Sequence, residues 1–121
     1  MTARTVFISY ARADKDYVAD LYALLSAAGR RVWLDVHDIP PGVDWRQVMT
    51  PAIAEADAFV FVVSPDSLGS EWCASELEIA FAHGKPVVPI VLRDPNGAAV
   101  PPSLAAVPWL SARDADLVSR V

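Results

Sequence analysis

The chain has 121 residues, enough for one domain around one core. Its net charge is −5 and no basic run exceeds Arg30-Arg31, which argues against nucleic-acid binding through phosphates. A single cysteine, Cys73, excludes an internal disulfide and a cysteine-based metal site, and His37 and His83 lie too far apart to suggest another, so no metal is expected. With no signal peptide and no apolar span of about 20 residues, a cytoplasmic domain without membrane contact is expected.

Thr5-Val6-Phe7-Ile8-Ser9 reads as a first strand, followed by a polar turn, Tyr10-Ala11-Arg12-Ala13. Asp14 is placed to cap a helix carrying Tyr17, Val18, Leu21, Leu24, Leu25 and Ala28 at helical spacing, and Gly29 stops it. Arg31-Val32-Trp33-Leu34-Asp35 is a second strand. In Ile39-Pro40-Pro41-Gly42, proline before glycine suits the inner positions of a type II turn. Asp44 can cap a helix with Trp45, Val48, Met49, Ile53 and Ala56, and Pro51 inside it predicts a kink or a late start.

Phe59-Val60-Phe61-Val62-Val63 is a run of β-branched and aromatic residues, the pattern of a strand buried on both faces of a parallel sheet. Turn chemistry from Ser64 to Gly69 breaks it. Ser70 then caps a helix, with Glu71 in its positive first turn. Cys73, Leu77, Ala80 and Phe81 form its apolar stripe, while Trp72 and Glu76, four apart, stand one above the other beside it. Gly84 ends this helix. Pro86 to Leu92 forms a fourth strand, in which Pro89 points to an edge or bulge. A long loop runs from Arg93 to Pro102, and Pro108-Trp109-Leu110 is a short fifth strand. From Ser111 a last helix with Leu117, Val118 and Val121 begins and stops early, as if the chain were the N-terminal part of a longer multidomain protein.

Strands alternating with helices give an α/β, three-layer domain: a parallel sheet of four to five strands with helices on both faces. Sheets of this kind bind ligands outside the carboxyl ends of their strands, here Ser9 to Arg12, Asp35 to Asp44, Ser64 to Ser70 and Arg93 onward. A carboxylate beside an indole at such an end, next to a core face, suits a site better than a solvated surface, although a glutamate on a helix flank is ordinarily solvated.

These residues resemble a family. Phe7-Ile8-Ser9-Tyr10-Ala11-Arg12-Ala13-Asp14 is similar to the first motif of Toll/interleukin-1 receptor (TIR) domains. Trp33-Leu34-Asp35 through Ile39-Pro40-Pro41-Gly42 and Trp45 resembles their second-strand and BB-loop region. Ser64-Pro65, followed by Ser70-Glu71-Trp72-Cys73-Ala74-Ser75-Glu76-Leu77, resembles their third strand and the helix after it. Val87-Val88-Pro89-Ile90-Val91 and Pro108-Trp109 continue the pattern, so the likeness covers essentially all of residues 1–121. In style it resembles the bacterial members that serve as effector parts of immune proteins.

The resemblance implies a flavodoxin-like fold and one of two functions: cleavage of NAD+ between nicotinamide and ribose, or non-catalytic TIR–TIR scaffolding. Glu76, in the spacing Trp72-x-x-x-Glu76, matches the glutamate of the enzyme type. NAD+ is then the substrate and no cofactor is needed. Ser9, Tyr10, Arg12, Trp72, Asp44 and Trp45 are the candidate substrate-binding residues. Trp72 would wall the ribose or nicotinamide, and Arg12 would meet the diphosphate or brace Glu76. Asp44 and Trp45 serve equally as helix cap and core, and Arg12 equally as a surface ion-pair partner of Asp14 or Asp16. Asp35 and Asp38 read as loop-ordering carboxylates, and Cys73 as a small buried hydrophobe. The resemblance further implies that Ile39, Pro40, Pro41 and Gly42 dock onto a neighbouring copy and cover the site. Self-association through head-to-tail contacts, of the kind that builds filaments, would then switch on activity in prokaryotic antiphage defence, under a sensor lying outside this chain. A receiver domain of the same sheet order fits poorly, because Ser64 and Ser9-Tyr10 occupy the places of its aspartates.

Overall fold

Every residue of β3 (Ala58–Val63) is buried, the condition that an unbroken apolar strand requires. A computed structural model, which describes residues 4–35 and 41–121, places this strand at the centre of the sheet. β1 (Thr5–Ser9) and β2 (Arg31–Leu34) lie on one side of it, β4 (Val87–Val91) and β5 (Leu110–Ser111) on the other. The order among the described residues is β2-β1-β3-β4-β5, and every pairing is parallel.

The strand period of two divides the core. Val6, Ile8, Val60, Val62 and Ile90 face α1 (Lys15–Ala27), and Leu117 of α6 (Leu117–Arg120) and Val121 close that side. Phe7, Phe59, Phe61 and Val63 face α2 (Trp45–Glu55) and α4 (Glu71–Ala82), with Phe7 and Phe59 stacked at 5.6 Å. Helices therefore cover both faces, as expected for the α/β, flavodoxin-like architecture.

Several local expectations are corrected. The Ser64–Gly69 segment is not a plain turn but holds a short helix, α3 (Pro65–Leu68): Ser64 and Ser67 form a capping box and Pro65 takes the first position, where its missing N–H costs nothing. Leu24 is 55% exposed, because on α1 it lies on the opposite flank of Leu21 from Val18 and Leu25, which face the sheet. Val48 is likewise exposed, and Met49 and Ile53 bury α2 instead. α2 starts at Trp45, not late: the Asp44 carboxylate accepts the Arg46 amide at 3.0 Å, and Pro51 lies within the helix. Pro89 is not at the sheet's edge, but β5 begins only opposite Ile90, so the outer side of β4 has no ladder at Pro89. The fifth strand falls at Leu110–Ser111, while Trp109 donates its indole N–H to the carbonyl of Leu104 in α5 (Pro102–Ala105). Gly42 has φ +86°, the left-handed backbone that the second inner position of a type II turn demands. Ile39 and Pro40 lie outside the described residues, as do His37 and Asp38.

Candidate active site

Two chain segments far apart in sequence meet at the carboxyl edge of the sheet on the α4 side. Ser9 is the last residue of β1 and, two positions after Phe7, points to the same face. Ser70 starts α4 by accepting the Cys73 amide at 3.2 Å, and that start sets the rotation of the helix. Cys73, Glu76, Leu77 and Ala80 consequently all face inward. Glu76 is fully buried and accepts the Ser9 hydroxyl on Oε1 at 2.9 Å.

Its other polar neighbour is Asp35, which follows β2 and whose amide donates to the Ile8 carbonyl at 3.1 Å. Asp35 is 4% exposed, so it is no solvated loop carboxylate; its Oδ1 accepts the Trp72 indole N–H at 2.7 Å. One carboxylate oxygen of Asp35, one of Glu76 and the Cys73 Sγ lie within 4.8 Å of one another. Burial pushes the Glu76 carboxyl far above the usual carboxylate range, the adjacent Asp35 adds to this, and the Ser9 hydroxyl works against it. Burial also pushes the Cys73 thiol up to about 11. A neutral thiol is a poor metal ligand, so proximity alone does not make this trio a metal centre.

The remaining candidates lie around this pair. Tyr10 is buried, and burial raises its phenol, as do the charges of Asp35 and, more weakly, Glu76, while Arg12 opposes them. Arg12 is exposed and its charge acts at Tyr10, while Glu76 accepts the Ser9 hydroxyl and lies beside Asp35. Trp45 stacks on Trp72 with ring centroids 4.7 Å apart and planes 29° from parallel, and Arg46 lies over the Trp45 ring. Trp45, Glu71, Trp72 and Ser75 line a cavity of about 340 Å³. Asp44 is exposed at its helix cap, and Pro41 and Gly42 are exposed beyond it.

The structure also replaces an expected role. Asp14 occupies the N-cap position of α1, but its carboxylate caps nothing and is not paired with Arg12. It is buried, accepts the Ser64 hydroxyl, and pairs with Arg93, whose guanidinium also reaches Asp66. This network ties the ends of β1, β3 and β4 together.

The sequence reading missed Asp35 as a member of the site. The available signal was its position: it closes a strand at the same edge as Ser9. The strand order that makes these two strands neighbours is not visible in the strands themselves.

A parallel sheet flanked on both faces, with a buried carboxylate at the carboxyl ends of its strands, defines the class of α/β domain that keeps its chemistry at one sheet edge. Residues 6–120 match the TIR domain family, and the chain belongs to it. It is 34% identical over 94 residues to the NAD(+) hydrolase tir-1 of Caenorhabditis elegans, which covers 70% of this chain and 10% of that protein. It is 34% identical over 77 residues to the NAD(+) hydrolase PdTIR of Paracoccus denitrificans, covering 63% of this chain and 26% of that protein. The chain thus spans well under half the length of either. Among solved structures it resembles the TIR domain of the Toll-related receptor TRR-2 from Hydra magnipapillata, at a TM-score of 0.75 and 27% identity, covering 93% of this chain and 86% of that one. Among the described residues no helix is long and apolar enough to cross a membrane.

Proposed function

We propose that this domain is an NAD+ glycohydrolase in which Glu76 is the catalytic carboxylate. The observation that carries the reading is Glu76 itself: a glutamate with no solvent exposure, held by Ser9 at a strand end. Relatives named NAD(+) hydrolases support it. The C–N bond between ribose C1′ and nicotinamide breaks, its electron pair neutralises the pyridinium, and nicotinamide leaves without a general acid, unlike the leaving group of an ordinary glycosidase. Ionised Glu76 stabilises the oxocarbenium-like ribose or holds its hydroxyls, a contribution of a few kcal/mol in a water-poor site. Water adds at C1′ and loses a proton, giving ADP-ribose; capture by a group of the same molecule gives a cyclic form. NAD+ is substrate, and the reaction needs no cofactor. Trp72 and Trp45 wall the site, Ser9 holds Glu76, and Tyr10, Arg12 and Asp44 are the further candidates for contact with NAD+.

Self-association is part of the proposal. Val43, 47% exposed, adjoins the Pro41-Gly42 turn, and Trp33 on the edge strand β2 is 54% exposed. Apolar side chains in such positions suit contact with a second copy. Assembly would start turnover, under a sensor outside this chain, in a cytoplasmic prokaryotic antiphage effector.

The second reading is a TIR scaffold without turnover. One observation favours it: Glu76 is sealed from solvent, so substrate reaches it only after its surroundings move. Nicotinamide release by clustered domain, compared with Glu76→Ala under the same clustering, decides between the two. Release by the wild type alone supports the enzyme; none from either, with assembly verified, supports the scaffold.

A further inference from the structure

A second cavity opens at the same carboxyl edge of the sheet, on the opposite side of β3 from β1 and β2. Its volume is about 510 Å³, within the range of small-molecule sites, against about 340 Å³ beside Trp72. Val91 and Leu92 line it from the end of β4, Ser111, Ala112 and Arg113 from β5 and the turn after it, and Tyr17 from the first turn of α1. Tyr17, Leu92 and Ala112 pack with the core on the α1 side, whereas Glu76 belongs to α4 on the other. The walls are fixed by the sheet: the Ala112 amide donates to the Val91 carbonyl at 3.0 Å, and the Leu92 amide to the Val63 carbonyl at 3.1 Å.

The polar side chains along this cavity are donors. Ser111 Oγ accepts the Arg113 amide at 3.1 Å and the Ser111 carbonyl accepts the Asp114 amide, which closes the turn that carries Arg113. The serine keeps its own hydroxyl proton to give. Arg113 is exposed, and among the described residues its guanidinium has no ion-pair or hydrogen-bond partner. The acid next to it in sequence is engaged elsewhere: Asp114 pairs with Arg120 at 3.5 Å and accepts the Asp116 amide at 2.8 Å. The Tyr17 hydroxyl is buried and, among the described residues, without a partner. Burial raises this phenol, so it keeps its proton. A buried polar group left unpaired in a folded chain calls for a ligand, ion or water to complete it. Two hydroxyls and a guanidinium, with no carboxylate among the described residues of the lining, select an anion.

We propose that this cavity is a second binding site, for a small organic anion: its phosphate or carboxylate group meets Arg113, Ser111 and Tyr17, and its apolar body lies against Val91, Leu92 and Ala112. Arg113 supplies the charge and a planar fork of donors that fits either group, and the apolar walls exclude a bare inorganic ion as the preferred occupant. The site is separate from Glu76 and does not rest on the NAD+ reading.

Amide NMR titration of the protein with phenyl phosphate, benzoate and neutral benzyl alcohol tests the site without NAD+. Phenyl phosphate or benzoate should give saturable shifts at Leu92, Ala112 and Arg113, and benzyl alcohol should bind more weakly than either. Tighter binding of phenyl phosphate assigns the site to phosphate esters, and tighter binding of benzoate assigns it to carboxylates; both outcomes support it. Arg113→Gln, at an exposed position that leaves the fold alone, should weaken the better anion about tenfold. Tyr17→Phe, which removes only the hydroxyl, should weaken it about threefold while leaving Tm unchanged or raised, because no partner is lost. No saturable shift with either anion means that water alone completes the cavity and overturns the proposal. Equal affinity for benzyl alcohol, or an unchanged affinity in Arg113→Gln, overturns the anion assignment, and a fall in Tm in Tyr17→Phe removes the hydroxyl from the site.

Discussion

Ser9 donates its hydroxyl to Glu76 at 2.9 Å across 67 positions of sequence, joining the end of the first strand to the middle of the fourth helix. This hydrogen bond opposes the burial that otherwise keeps Glu76 protonated. Ser9→Ala should therefore lower turnover at neutral pH and restore part of it at higher pH, and should cost about 1–2 kcal/mol of stability by leaving a buried acceptor without its donor. A pH–rate profile beside urea melts separates the two effects; a loss of rate equal at every pH would mean that the hydroxyl acts on substrate instead.

Glu76 is stabilised in its protonated form, which fixes the sign of a stability experiment. As pH rises through the ordinary value of 4.5, the unfolded chain releases this proton while the folded chain keeps it. Stability contributed by the group is thus full below that pH and declines above it, until the raised folded value is passed. Glu76→Gln does not titrate, and its amide can donate to Asp35 permanently. It should be inactive toward NAD+ yet more stable than the wild type, by a margin that grows from pH 5 to pH 8 and reaches about 3 kcal/mol near neutrality. Thermal melts across that range check it, and a constant margin contradicts the assignment.

The Asp14–Arg93 pair predicts an asymmetry. Asp14 is buried, whereas the Arg93 side chain is 46% exposed. Asp14→Asn removes the buried charge and leaves a guanidinium that water and Asp66 can satisfy, whereas Arg93→Ala leaves the charge buried with Ser64 as donor. Arg93→Ala should therefore be the more destabilising of the two in urea titration. Neither change should move the pH dependence of turnover, because this network does not touch Glu76.

Trp72→Phe should keep much of the stack on Trp45 but remove the donor to Asp35. It should cost about 1–3 kcal/mol of stability, since the acceptor is buried, and raise KM for NAD+ more than it lowers kcat. Equilibrium melts and steady-state kinetics on the clustered domain measure both; an unchanged KM would remove Trp72 from the substrate wall.

Gly42 separates backbone conformation from assembly. Its φ is +86° and a Cβ built there meets nothing within 4 Å, so Gly42→Ala suffers only the backbone penalty, about 1 kcal/mol. Gly42→Arg adds length and charge at an exposed turn. It should depress NAD+ turnover far more than Gly42→Ala, and most at low protein concentration; a loss independent of concentration would indicate a direct role in binding NAD+.

The sequence alone determined what local chemistry can encode. The apolar run 59–63 required a strand covered on both faces, Ser70 and Asp44 set the starts of two helices, and the Trp72-x-x-x-Glu76 spacing put an acid beside an indole at a strand end. Only the tertiary structure decided the partners. Asp35 read as a loop carboxylate and Asp14 as a cap, because strand periodicity says which face a side chain takes but not which strand lies next to it. With β2 beside β1 in the sheet, Asp35 comes to share the burial of Glu76, and with β1 beside β3, Asp14 reaches Ser64. Whether a carboxylate is solvated or keeps its proton depends on the water excluded and the charges brought near it, and both are properties of packed neighbours drawn from distant parts of the chain.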